Sequence, residues 1–273
     1  MSTQGQSQCP KIEAQSHLTQ NGLGKSSYND LFMGYYFANL YFKGKLNLNK
    51  PVLMVGAGYG AGVVELMALG ANLIYLNDLS SENLACAKMF INKTLPLKKN
   101  FIQYIPGDIT HSDVIEKIPD HSLSIVYAKN IIPFLDAKQL LQLIKKSHDK
   151  LDSNGLLLFV FENNRLEEQI DMVRQINARF QIASKKDLQV TLDDIVIQQY
   201  REDKICSFVA YENTPKSLRT NGFPCILYGD NFLINFLMPS TIELLLKQNG
   251  FIILDSTKIA QRDDTFIITA KKN

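Results

Sequence analysis

Gly56, Gly58 and Gly60 stand at alternate positions just after an apolar run, Val52 to Val55, and the carboxylate Asp78 closes the next apolar run, Leu73 to Leu76 followed by Asn77. Glycines placed this way let a backbone turn tightly and approach a ligand without Cβ clashes. A carboxylate at the tip of the second run can accept both hydroxyl hydrogens of a ribose. The chemistry these residues imply is recognition of an adenosine-type ligand. A bare turn with no ligand is the bland alternative, and an acid at ribose distance speaks against it.

Two ligand classes fit the spacing. Gly56-Ala57-Gly58-Tyr59-Gly60-Ala61 satisfies the relaxed G-x-G-x-x-G/A of a dinucleotide site. The same three glycines satisfy the G-x-G-x-G of an S-adenosyl-L-methionine (SAM) site. The elements that must position them are a strand, the glycine turn, an Ala/Leu-rich helix from Ala61 to Leu69 and a second strand, which is half of a doubly wound fold. Ser81 to about Asn92 reads as a helix capped by Ser80 or Ser81, with Leu84, Ala87, Met89 and Ile91 facing the sheet. Phe101 to Ile105, Leu123 to Ala128 and Leu156 to Phe161 are further apolar strands, and Ala137 to about Leu151 is an amphipathic helix. Asn154-Gly155 marks the end of that helical unit. Strands alternating with helices make a parallel α/β sheet.

Beyond strand five the alternation lapses. Asn164 to Phe180 reads as a helix, and Gln189 to Ile197 and Lys204 to Tyr211 as strand-like runs, so residues 163–224 form a cap-like insert over the carboxyl edge of the sheet. The pattern resumes at Pro239, with Ser240 and Glu243 in capping-box spacing. Phe251 to Leu254 and Thr265 to Ala270 are then too close for a helical crossover and should pair antiparallel. Residues 1–26, rich in Gln and Ser, read as a disordered tail, and 27–273 as the folded domain. Tyr28 to about Phe42 is dense in aromatics and reads as a helix or helical pair packing onto the main domain, most of its Tyr residues core, with Tyr28, Tyr35 and Tyr36 available to gate a pocket.

The 273 residues carry a formal net charge of +2, too balanced for a nucleic-acid surface. No run qualifies as a membrane span or secretory segment, so a cytoplasmic protein is expected. Cys9, Cys86, Cys206 and Cys225 form no C-x-x-C pair and read as free thiols, and the four histidines show no ligand spacing, so no metal is expected.

Taken together, these motifs resemble a class I SAM-dependent methyltransferase over residues 28–273 apart from the insert. The resemblance implies a doubly wound, mostly parallel seven-stranded sheet with an antiparallel last strand. It implies SAM as the cofactor, with the methionine part held by Gly56, Ala57, Gly58 and Gly60, the ribose by Asp78 and the adenine beside Leu79. Gly107-Asp108-Ile109 would meet the adenine amino group, Lys129 and Asn130 would close the site after strand four, and Tyr28 would complete it. Leu151 to Leu157 matches the family's L-x-x-x-G-x-L entry to strand five, and Glu243 to Phe251 its E-L-L-x-x-x-G-F. One position departs: an acid is usual two residues before the first glycine, and here it is Met54. A catalytically silent binding module, or an NAD(P)-dependent oxidoreductase, are the alternatives. Methyl transfer from a sulfonium needs alignment more than a universal catalytic residue, so none is assigned, although His111 and His121 are bases by type. Lys129-Asn130-Ile131-Ile132-Pro133-Phe134 is not the adenine-N6 loop, and no nucleic acid or membrane is expected as partner. A small molecule or an exposed protein side chain remains as the acceptor, chosen by residues 163–236 with help from Tyr28 to Phe42. Oligomeric state is not set by these residues.

Overall fold

The structure, a computed structural model, describes residues 9, 17–18, 25–26, 31–135, 137–162, 225–228, 232–235, 239–259 and 265–273. Tyr28 and the whole insert 163–224 lie outside these residues, as do the helix and strands expected within it. Within the segment read as a tail, His17–Leu18 (β1) pairs antiparallel with Lys25–Ser26 (β2). Leu31–Phe42 then forms helix α1. The chain divides into two compact units, Met1–Ala128 with Asp149–Leu156, and Lys129–His148 with Leu157–Asn273.

In the first unit the apolar runs are strands because each is short, β-branched-rich and bounded by Gly, Pro or Asn. Val52–Val55 (β3) lies parallel to Ile74–Asp78 (β4), with Val52 beside Ile74. β4 in turn lies parallel to Ile102–Pro106 (β5), and β3 also pairs with Leu123–Lys129 (β6). Between them run α2 (Val63–Ala68), α3 (Ser81–Thr94) and α4 (Ser112–Ile115). β3 and β4 are buried along their whole length, as strands covered on both faces must be.

Helix α1 buries Met33, Phe37 and Leu40, and Phe37 meets Tyr127 edge-on at 5.1 Å. On its opposite face Leu31, Tyr41 and Phe42 are exposed rather than core, and Tyr35, read as available to gate a pocket, is exposed with them. The reason is geometric, since one stripe of a two-faced apolar helix fills the contact with the sheet and the other faces away. Met89 is likewise exposed on α3, where Leu84, Cys86, Ala87, Phe90 and Ile91 take the buried face. The cysteines bring a further correction. Cys9 and Cys86 are not free thiols but form a disulfide.

The second unit carries α5 (Ala137–Lys150) to His148, with Leu140, Leu143 and Ile144 in its core. Leu151–Glu162 (β7) starts directly after the helix. Asn154-Gly155 is therefore no turn: Gly155 lies inside the strand, where an added Cβ would come within 2.8 Å of Leu151 Cδ2. Cys225–Tyr228 (β8) and Phe232–Asn235 (β9) form an antiparallel pair, and β9 lies against the Ile132–Phe134 turn. Helix α6 (Pro239–Gln248) stops at Gly250, whose φ of 83° suits only glycine there. Phe251–Lys258 (β10) and Thr265–Lys272 (β11) pair antiparallel, as their short connection requires. The sheet has seven strands in the order β10-β11-β7-β6-β3-β4-β5. The fold is the doubly wound α/β arrangement with antiparallel last strands.

Candidate cofactor-binding site

The carboxyl ends of β3, β4 and β5 are sewn together by polar groups of a few residues. Past Val55 the chain makes its turn through Gly56, Gly58 and Gly60, with φ of 63°, 54° and 86°, a conformation that costs other residues about 1–2 kcal/mol each. The alternation continues one step further than the motif, to Gly62 at φ 93°. There an added Cβ would meet Met54 Cε at 3.2 Å and Phe37 Cε2 at 3.6 Å. Gly62 begins α2 and was not among the expected site residues, although the unbroken glycine spacing was its signal.

The loop is anchored to β4. Ala57 N–H donates to the Asn77 carbonyl at 2.9 Å, and Gly58 N–H donates to Asp78 Oδ2 at 2.7 Å. Asp78 is 6% exposed and its Oδ1 accepts from Ser80 N–H at 2.9 Å and Asn83 Nδ2 at 3.0 Å. These bonds use three of about four acceptor positions on the carboxylate, leaving one on Oδ2. Ser80 caps α3 by accepting from Asn83 N–H, which fixes Asn83 under the acid.

The β5 loop is tied to the same strand. Gly107 N–H donates to the Asp78 carbonyl at 3.0 Å. The buried Asn77 amide donates to the carbonyls of Ile105 and Gly107 at 2.8 and 2.9 Å. Asp108 Oδ1 accepts from Thr110 N–H and Oγ1 at 2.9 and 2.7 Å, while Oδ2 lies 3.8 Å from His111 Nε2. Leu79 stands 60% exposed next to Asp78, whereas Ile109 is buried. Burial also raises Tyr104, on the neighbouring strand, to about 12.

Gly56, Ala57, Gly58, Gly60, Asp78, Leu79, Gly107, Asp108 and Ile109 thus all lie in the first unit, joined directly or through shared partners at one edge. Asn77, Asn83 and Thr110 support them and could not be read from a motif. Lys129 ends β6, and Asn130 follows it at φ 54° with its N–H on the Val160 carbonyl; both belong to the second unit. Met54 is 1% exposed, a packed strand residue.

Residues 53–159 match the sequence model of a methyltransferase domain, a stretch that holds the glycine loop, Asp78 and Asp108. That stretch of the chain is thus similar to a methyltransferase domain. Solved structures agree over most of its length. A putative SAM-dependent methyltransferase from Listeria monocytogenes is 18% identical, with 88% of this chain and 99% of that one covered at a TM-score of 0.51. A protein from Pyrococcus horikoshii is 17% identical over 90% and 95%, with a TM-score of 0.53. The glycopeptide N-methyltransferase MtfA, solved with SAM, is 14% identical over 91% and 89%, with a TM-score of 0.54. No curated protein matches the chain by sequence. The likeness to these structures is one of fold, and the site's chemistry rests on the residues above. Among the described residues, no helix is long and apolar enough to cross a membrane.

Proposed function

We propose that the protein is a SAM-dependent methyltransferase that passes a methyl group to a small molecule or an exposed protein side chain. The observation that carries this reading is the Asp78 node, which holds the glycine loop through Gly58 and the β5 loop through its carbonyl, and keeps an acceptor position on Oδ2. That donor and acceptor set fits an adenosyl ligand: Oδ2 of Asp78 for a ribose hydroxyl, Oδ2 of Asp108 for the adenine amino group, and exposed Leu79 against a flat ring. Gly56 to Gly60 offer backbone without Cβ atoms to the methionyl part. Bound there, SAM supplies a methyl group already activated on a sulfonium. The protein's part is to fix that group in line with an acceptor and to exclude water. Lys129, Asn130 and Tyr28 are proposed to close the site, and residues 163–236, with help from Tyr28 to Phe42, to choose the acceptor.

A catalytically silent binding module is the second reading, favoured by Met54, which presents no carboxylate to the cofactor's ammonium. Calorimetric titration with S-adenosylhomocysteine tests the site itself; a response to NAD(H) and none to either adenosyl ligand would sink both readings. Release of S-adenosylhomocysteine from SAM, assayed against metabolite pools and protein extracts, separates enzyme from module. Binding that persists without turnover across both pools would favour the module.

A further inference from the structure

The Cys9–Cys86 disulfide joins two places of different character. Cys86 is 1% exposed on α3. On the same helix Asn83 donates to Asp78, and Ala87 lies where its Cβ is 3.4 Å from a Cβ placed on Gly60. Cys9 is half-buried where Cys86 is fully buried, so the Cys9 end of the bond is the more open to a thiol from solvent. The bond closes a covalent loop over residues 9–86, and that loop contains α1, the glycine turn and Asp78.

We propose that Cys9–Cys86 is a thiol–disulfide latch on the adenosyl site, closed in the state of higher ligand affinity. It ties the chain ahead of α1 to the helix that fixes Asp78 and packs on the glycine loop. Opening begins when the thiolate of a dithiol reductant attacks Cys9 Sγ. The S–S bond breaks, its electron pair leaves on Cys86 Sγ, and that sulfur takes up a proton. The reductant's second thiol then displaces Cys9 from the mixed disulfide, so the reductant is oxidised to its own disulfide and two protein thiols are formed. Closing runs the other way with a low-molecular-weight disulfide, which is reduced to two thiols. In the cytoplasm expected from the sequence, a reducing thiol pool would hold the latch open until such an oxidant rises.

The affinity effect rests on the proposed adenosyl site, so the test reads both. Full-length protein is compared without reductant, after dithiothreitol, and as Cys9→Ser. Thiol titration in denaturant should find two of the four cysteines free before reduction and all four after it. Reduction and Cys9→Ser should each lower Tm by roughly 10 °C, as expected for opening a loop of this length in a chain of this size. Both should weaken S-adenosylhomocysteine binding about fivefold or more, and Cys9→Ser should not respond further to dithiothreitol. Four free thiols in the unreduced protein, or one affinity shared by all three forms, would overturn the latch alone. Ligand bound by none of the forms would overturn the latch and the adenosyl reading together.

Discussion

At the carboxyl ends of β3 and β4 a carboxylate is buried among N–H groups; at the amino ends of β6 and β7 an ammonium is buried against carboxylates. Asp78 is 6% exposed and takes its three hydrogen bonds from Gly58, Ser80 and Asn83. Lys150 is 2% exposed and donates to Glu116 Oε2 at 2.9 Å and Asp120 Oδ1 at 2.7 Å. The turn ahead of β6 covers the end of α5, with His121 and Ser122 N–H on the carbonyls of Asp149 and Lys150. Both networks hold a buried charge, and they differ in what surrounds it. Asp78 sits among glycines, with an exposed Leu79 and an open lone pair beside it. Lys150 meets two carboxylates, those of Glu116 and Asp120. A buried charge alone therefore does not mark a site; unused bonding capacity beside bare backbone is what sets Asp78 apart from Lys150.

The largest break in this comparison should come from Asp78→Ala. It strips partners from three donors, one of them the loop's own Gly58 N–H, and should cost roughly 3 kcal/mol of stability. Urea unfolding measures that cost. Calorimetry should also show S-adenosylhomocysteine binding weakened by up to a few kcal/mol, because charge-assisted bonds to the ribose go with the carboxylate. If binding were unchanged, the carboxylate would be a loop anchor and nothing more.

Gly62→Ala should come next. It forces a Cβ onto a residue at φ 93° and against Met54 Cε at 3.2 Å, costing about 1–2 kcal/mol from the backbone alone. Affinity should fall with stability if the four glycines act as one loop. A loss of stability with affinity intact would confine the ligand to Gly56 through Gly60.

Asp78 is legible where Asn77 is not, and the difference lies in what a sequence encodes locally. Short apolar runs, glycine spacing and a strand-end acid are local, so Val52–Val55, the glycine turn and Asp78 could be read directly. The antiparallel final pair followed from the shortness of its connection. Asn77 was opaque, because its amide bonds Ile105 and Gly107 only once β5 is known to lie beside β4. Cys9 and Cys86 are 77 residues apart, and nothing local announces their pairing. Asn154-Gly155 carried a turn's signature but serves a close approach inside β7. The exposed stripe of α1 was hidden for a simpler reason: a helix apolar on both faces gives no periodic signal for which face is buried.

Asp108→Ala should have a smaller effect, and one split between fold and ligand. Oδ1 organises the Thr110 turn, while Oδ2 is the oxygen assigned to the adenine amino group. Losing it should reduce S-adenosylhomocysteine affinity by about 1 kcal/mol, which calorimetry resolves as several-fold. Thr110→Val, which removes only the hydroxyl's bond, should leave affinity closer to wild type. Equal losses in the two variants would mean that Asp108 acts through the turn and not through the ligand.

Lys150→Met should give the smallest change, and it sharpens the contrast with Asp78. Methionine keeps most of the buried stem, and both carboxylate partners are more than half exposed, at 52% and 61%, so they can return to water. Stability should drop by about 1 kcal/mol or less, and adenosyl-ligand affinity should not move. The pH dependence separates this from a packing defect. Burial pulls the Lys150 pKa down, but hydrogen bonds and charge from Asp120 and Glu116 outweigh it and leave it above the ordinary 10.5. A raised folded pKa means that the contribution is fully present below pH 10.5 and is lost as pH rises through the folded value. Wild type should therefore lose its small advantage over Lys150→Met in urea titrations carried above pH 10.5, and the two midpoints should converge. A gap that stayed constant to higher pH would assign the difference to lost packing around the stem, and the ammonium would then contribute nothing to the amino-edge network.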